Sequence, residues 1–143
     1  MTALPDVNVL LALAWSHHPH HAPAHDWFRR EGAADWATCL LTQSAFLRLS
    51  LNPQVVNVAI DCGTAVALLT GLVAHPGHRF VAPATAWTDT SLNDLSLRIT
   101  GYRQMTDATL LAIAKSENLQ VVTFDQAMSS ICPWPANLQV LRP

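Results

Sequence analysis

The sequence predicts one α/β domain over residues 1–143, with three layers, α/β/α, around a central, mainly parallel sheet of about five strands. Three observations carry that expectation. Short apolar strand-like pieces alternate with helix-like ones from end to end. No internal repeat, linker or low-complexity segment divides the chain. At 143 residues the chain is long enough for one sizeable core and short for two.

Thr2 to Pro5 forms the first strand, and a helix follows from about Val7 to Ala14. "WSHHPHHAP" is a turn holding Pro19 and Pro23, after which a second helix runs from about Ala24 to Glu31. "DWATCL" is the second strand. Thr42 is placed to cap a third helix, "QSAFLRLSL", which stops before Pro53. Asp61 to His75 reads as a long apolar helix, and "RFVAP" as a short strand closed by Pro83. Thr90 to Thr100 form a fifth helix ending at Gly101. Thr106 caps a sixth, "DATLLAIAKSE", with Asn118 as its stop. "LQVVTF" and "LQVLR" are the last two strands.

Half of the residues are hydrophobic and only 13% are charged, which implies exposed apolar patches and hence a homodimer face or a protein partner. A net charge of −2 rules out nucleic-acid binding by bulk charge, so any polyanion must be held locally. Cys39, Cys62 and Cys132 match neither a disulfide framework nor a zinc pattern, which suggests a reducing compartment. The apolar run Val9 to Trp15 lacks a basic flank, and no run reaches membrane-spanning length. The expected location is cytoplasmic, away from any membrane.

Ligands of open α/β sheets bind beyond the carboxyl ends of the strands. Asp6 ends the first strand, Asp125 the fourth, and Asp107 opens a helix beside the same edge. Singly, each acid reads as a cap or turn residue. Together they predict carboxylates converging on one rim, where they stay ionised only beside a cation. Mg²⁺ suits an all-oxygen site, and such an ion acidifies water and steadies charge on a phosphodiester.

The stretches "LPDVNVLLAL", "CLLTQSAFLRLSLNP" and "MTDATLLAIAKSENLQVVTFD" resemble the successive motifs of PIN-domain proteins, and most nearly those of the VapC-type toxin ribonucleases. The resemblance implies a compact α/β/α nuclease using Mg²⁺ or Mn²⁺, an RNA substrate, a cognate antitoxin and a homodimer. It makes Asp6 the first acid with Asn8 its hydrogen-bonding neighbour, Asp107 the acid of the late helix, and Asp125 that of the T-F-D segment. Asp6, Asp107 and Asp125 are then the metal ligands, with Thr106 and Thr123 in support.

Gln43 in "LLTQSAF" stands where the resemblance leads one to expect Glu, which removes a negative charge. Two readings follow: an endoribonuclease toxin working with three carboxylates and Gln43 as a water-orienter, or an attenuated fold kept for binding an antitoxin. Arg48, five residues on, could contact a phosphate or a site carboxylate, or lie on a surface or dimer face. A phosphoaspartyl phosphatase would need a second Asp where the chain has Asn8, and a phosphoacceptor signalling domain would need a lysine after a late strand, whereas the only lysine, Lys115, is inside a helix. The "HHPHH" run reads as a polar connection rather than a transition-metal site. Arg29, Arg30, Arg98 and Arg103 could guide RNA or lie on a solvated face. Asp94 could reach the rim, and Trp15, Trp27 and Trp36 line either core or a partner groove.

Overall fold

Five parallel strands form the middle layer, and the computed structural model describes all of residues 1–143. The strands are β1 (Thr2–Pro5), β2 (Trp36–Thr38), β3 (His78–Phe80), β4 (Leu119–Thr123) and β5 (Leu138–Val140). Their order is β3-β2-β1-β4-β5. The chain winds outward from β1 to β2 and β3, then returns to lay β4 on the other side of β1. Winding therefore reverses between β1 and β4, which is where an open sheet of this kind leaves a crevice at its carboxyl edge. The two strands run in register from Thr2 opposite Leu119 to Pro5 opposite Val122.

The helices are α1 (Val7–Ala14), α2 (His21–Trp27), α3 (Leu40–Ser50), α4 (Pro53–Val56), α5 (Cys62–Val73), α6 (Asn93–Arg98), α7 (Met105–Glu117) and α8 (Met128–Ile131). Alternation along the strands splits the apolar side chains between two cores. Leu4, Ala37, Leu119 and Val121 meet Leu92, Leu95 and the buried face of α7 on one side. Ala3, Trp36 and Val122 meet α1, Trp27, Phe46 and Leu69 on the other. Trp27 and Trp36 are thus core, whereas Trp15 is half-buried and donates from Nε1 to Ser50 Oγ at 3.3 Å.

Several boundaries differ from the sequence expectation for local reasons. The cap of α3 is Cys39, not Thr42; Thr42 lies one turn inside and accepts from the Cys39 N–H at 3.1 Å. Thr106 likewise sits inside the first turn of α7, whose cap is Gln104. The second helix starts early, at His21, and ends in a wider π-type turn, Phe28–Gly32. Pro53 starts the short α4 from an Asn52 cap instead of only ending α3. Gly77 packs against the backbone of Ala33 and Ala34, where any Cβ would fall 1.9 Å from the Ala33 oxygen. At Asn118 the backbone turns left-handed (φ 54°), and β4 begins at the very next residue.

Candidate active site

Asp6 follows the last residue of β1 and is also the cap of α1, its Oδ1 accepting from the Val9 N–H at 3.0 Å. An aspartate suits both tasks, because its short carboxylate reaches the free amides of a first helical turn. Continuing the β1–β4 register sets Asp6 beside Thr123, whose hydroxyl donates to Asp6 Oδ2 at 2.5 Å. The same hydroxyl accepts from the Asp125 N–H at 2.9 Å. Asp125 Oδ1 then accepts from the Ala127 N–H at 2.8 Å, closing a turn that ends the strand. One threonine oxygen thereby ties the two strand ends together. Asp107 arrives from the first turn of α7, where the helix dipole favours a negative charge.

The three carboxylates line one cavity of about 50 Å³, with Asn8, Thr42 and Thr106 as further polar lining and Val7, Leu41, Ala45 and Leu110 as apolar wall. No lysine or arginine borders it, and the only ion pairs of the chain join Arg29 and Arg30 to Asp26 elsewhere. Burial pushes the Asp6 carboxyl from its ordinary 3.8 up to about 6; the Thr123 and Val9 hydrogen bonds oppose the rise and the nearby Asp107 charge adds to it. Burial and the Asp125 charge also raise Asp107. The arrangement concentrates negative charge that no protein group neutralises.

That deficit is what a hard divalent cation would fill. Every donor around the cavity is oxygen or amide, which fits Mg²⁺ or Mn²⁺ and not a softer metal. The acids do not form a preassembled three-carboxylate cage. The fit is to an ion that keeps several waters and takes few direct protein ligands.

The PIN domain model matches residues 3–132, nearly the whole chain. The chain belongs to the PIN-domain family. Its relatives within that family include VapC proteins. Ribonuclease VapC38 of Mycobacterium tuberculosis is 44% identical over 129 residues, covering 90% of this chain and 89% of its own. Ribonuclease VapC39 of the same species is 36% identical, covering 90% and 92%. A solved structure of M. tuberculosis VapC20, described as a Sarcin-Ricin loop cleaving toxin, superposes with a TM-score of 0.63 at 16% identity, covering 90% of this chain and 94% of its own. VapBC2 from Rickettsia felis, solved bound to a DNA fragment from its promoter, gives 0.59 at 11% identity, covering 99% and 100%. At those identities the structural matches speak for the fold.

In this PIN domain Asp6, Asn8, Thr106, Asp107 and Asp125 border one cavity, and Thr123 lies directly behind it. Gln43 does not join them. Its Nε2 donates to Thr38 Oγ1 at 3.0 Å, and α3 turns Leu41, Thr42 and Ala45 toward the acids instead. Gln43 lies about 100° around the helix from Thr42, so the two side chains leave α3 in different directions. Arg48 is exposed, one turn beyond Ala45, and makes no ion pair. Asp94 is exposed on α6 and does not border the cavity. Arg98 donates to the Cys132 carbonyl and Arg103 to the Tyr102 hydroxyl. Sequence reading missed Thr42 and Ala45 as cavity residues, although their i, i+3 spacing on one helix face was the available signal. No helix is long and apolar enough to cross a membrane.

Proposed function

We propose that this PIN domain is a divalent-metal-dependent endoribonuclease, the toxin of a type II toxin–antitoxin pair. The observation that carries the reading is the trio Asp6, Asp107 and Asp125 around one cavity with no basic group to neutralise them. The relatives named as ribonucleases supply the substrate class, and the R. felis complex supplies the kind of partner, a VapB-type antitoxin. Asp6, Asp107 and Asp125 are the residues that would hold Mg²⁺ or Mn²⁺. When bound, such an ion lends Lewis-acid activation of water and charge stabilisation on the phosphodiester.

The remaining work falls to the chain's own atoms. Thr123 holds Asp6 in one rotamer by donating to Oδ2, and the Val9 amide fixes Oδ1. Asn8, Thr42 and Thr106 offer polar atoms that order water around the carboxylates. The apolar wall of Val7, Leu41, Ala45 and Leu110 limits how much bulk water competes.

A second reading, a weakly active or inactive fold kept for antitoxin binding, has one observation behind it: α3 brings no carboxylate to the cavity, only Thr42 and Ala45. Calorimetric Mn²⁺ titration paired with an RNA cleavage assay separates the two. The nuclease reading expects saturable Mn²⁺ binding and cleavage that a chelator stops and added Mn²⁺ restores. Mn²⁺ binding without any cleavage would establish the second reading, and no binding at all would remove the site.

A further inference from the structure

The geometry points to a nucleotide-binding subsite beside the acid cavity, in which His18, His20 and Phe124 grip a base and backbone of single-stranded RNA next to the scissile phosphate; it rests on the ribonuclease reading. A second hollow of about 350 Å³ is lined by Asn8, His18, His20, Phe124 and Asp125. It shares Asn8 and Asp125 with the acid cavity, so the two are contiguous. Its volume falls among small-ligand pockets.

The "HHPHH" turn divides its histidines between two jobs. His21 Nδ1 lies 2.7 Å from the Ala12 carbonyl and His25 Nε2 3.0 Å from the Leu13 carbonyl, so both donate to the C-terminal turn of α1. These two lock the turn in place. His18 and His20 are left facing the rim. His18 Nδ1 accepts the His20 backbone N–H at 3.0 Å, which puts the ring proton of the neutral imidazole on Nε2. A fixed N–H donor results. The His20 ring lies 4.4 Å from the Phe124 ring, tilted by 44°, forming an aromatic corner immediately before Asp125.

An aromatic handhold suits this location. A lysine or arginine here would pair with the carboxylates and compete with the cation, and neither hollow contains one. Stacking holds a base without adding charge and tolerates any sequence, because every base has a π-face. With a net charge of −2 the chain has no bulk attraction for RNA to rely on.

The test measures anisotropy of a fluorescent single-stranded RNA of about ten nucleotides, a typical span for one such site, against the full chain carrying Asp107→Asn to prevent cleavage. An abasic strand of equal length is the second probe. The expected result is that His20→Ala and Phe124→Leu each weaken RNA binding by about 5- to 100-fold, the size of one lost base stack, and change abasic binding far less. Phe124→Leu keeps the apolar bulk that packs on the α1-side core, so it guards against simple misfolding. Unchanged RNA binding in both variants overturns the subsite, as does equal weakening for RNA and the abasic strand. Because binding is read in a chain that cannot cut, failure of the unmodified chain to cleave RNA would defeat only the ribonuclease reading.

Discussion

Asp6 and Asp125 end neighbouring strands of the same sheet and live in opposite surroundings. Asp6 is 6% exposed, with both oxygens bonded inside the protein. Asp125 is exposed and spends one oxygen on a local turn. The difference teaches how a site can hold a cation without a cage. One buried carboxylate supplies a rigid, poorly hydrated charge that favours an ion strongly. An exposed one can follow substrate and water at little cost. The Asp6 proton affinity is set by burial and so reports on the folded state.

The largest expected effect breaks that comparison at the buried end. Asp6→Asn should lower metal-dependent RNA cleavage by at least ~100-fold, more than typical outer-shell losses, while near-native circular dichroism persists. Asp125→Asn should also reduce cleavage, but less. Equal residual rates in the two variants would mean that burial confers no advantage.

A second effect appears in cation-free buffer. The folded Asp6 carboxyl titrates near 6 against 3.8 ordinarily, so its contribution to stability is fully present below pH 4 and lost as pH rises through 6. The loss should be on the order of 2–3 kcal/mol, at about 1.4 kcal/mol per pH unit. Asp6→Asn should remove it, making the variant the more stable chain at pH 7.5 in urea titrations with chelator. Mn²⁺ should narrow that gap, and should bind more weakly at pH 5, where protons compete.

Thr123→Val sharpens the comparison from the other strand. It deletes a hydroxyl donor to a carboxylate, worth about 1.5–3 kcal/mol, and should raise the Asp6 titration midpoint further. Carbon-13 NMR of the Asp6 carboxyl would follow this directly. The smallest effect belongs to Gln43→Glu, which should leave Mn²⁺ affinity unchanged because that side chain bonds Thr38 away from the cavity. Ala45→Glu, aimed into the cavity, should tighten it.

How much of this was legible depended on helical phase. The strands β1 and β4 were readable as apolar runs that stop on acids, and so was the rim on which Asp6, Asp107 and Asp125 meet. In both strands the acid itself marks where the apolar run stops, so the strand end is read directly from the residues. Helix α3 was less forgiving. The resemblance credited Gln43 with a place at the site, whereas α3 lines the cavity with Leu41, Thr42 and Ala45 and leaves Gln43 bonded to Thr38. Threonine is the better cap by type, and Cys39 takes the position because β2 ends at Thr38. Similarly, the "HHPHH" turn reads as a mere connection, and for His21 and His25 it is one. The neighbourhood of His18 and His20 depends on Phe124, a hundred residues later, and no local pattern encodes that meeting.

The abrupt junction at Asn118 has a mechanical meaning. Helix α7 descends from the rim for 13 residues, roughly 20 Å, and β4 climbs back directly, at about 3.3 Å per residue, to end at Thr123, two residues short of Asp125. The pair acts as a ruler folded once, and its single crease sets the gap between Asp107 and Asp125. One residue inserted within α7 would swing Asp107 by about 100°, and one inserted in β4 would slide Asp125 by roughly a strand step. Length variation among chains built this way should therefore be tolerated around residues 82–89 and purged from residues 105–125.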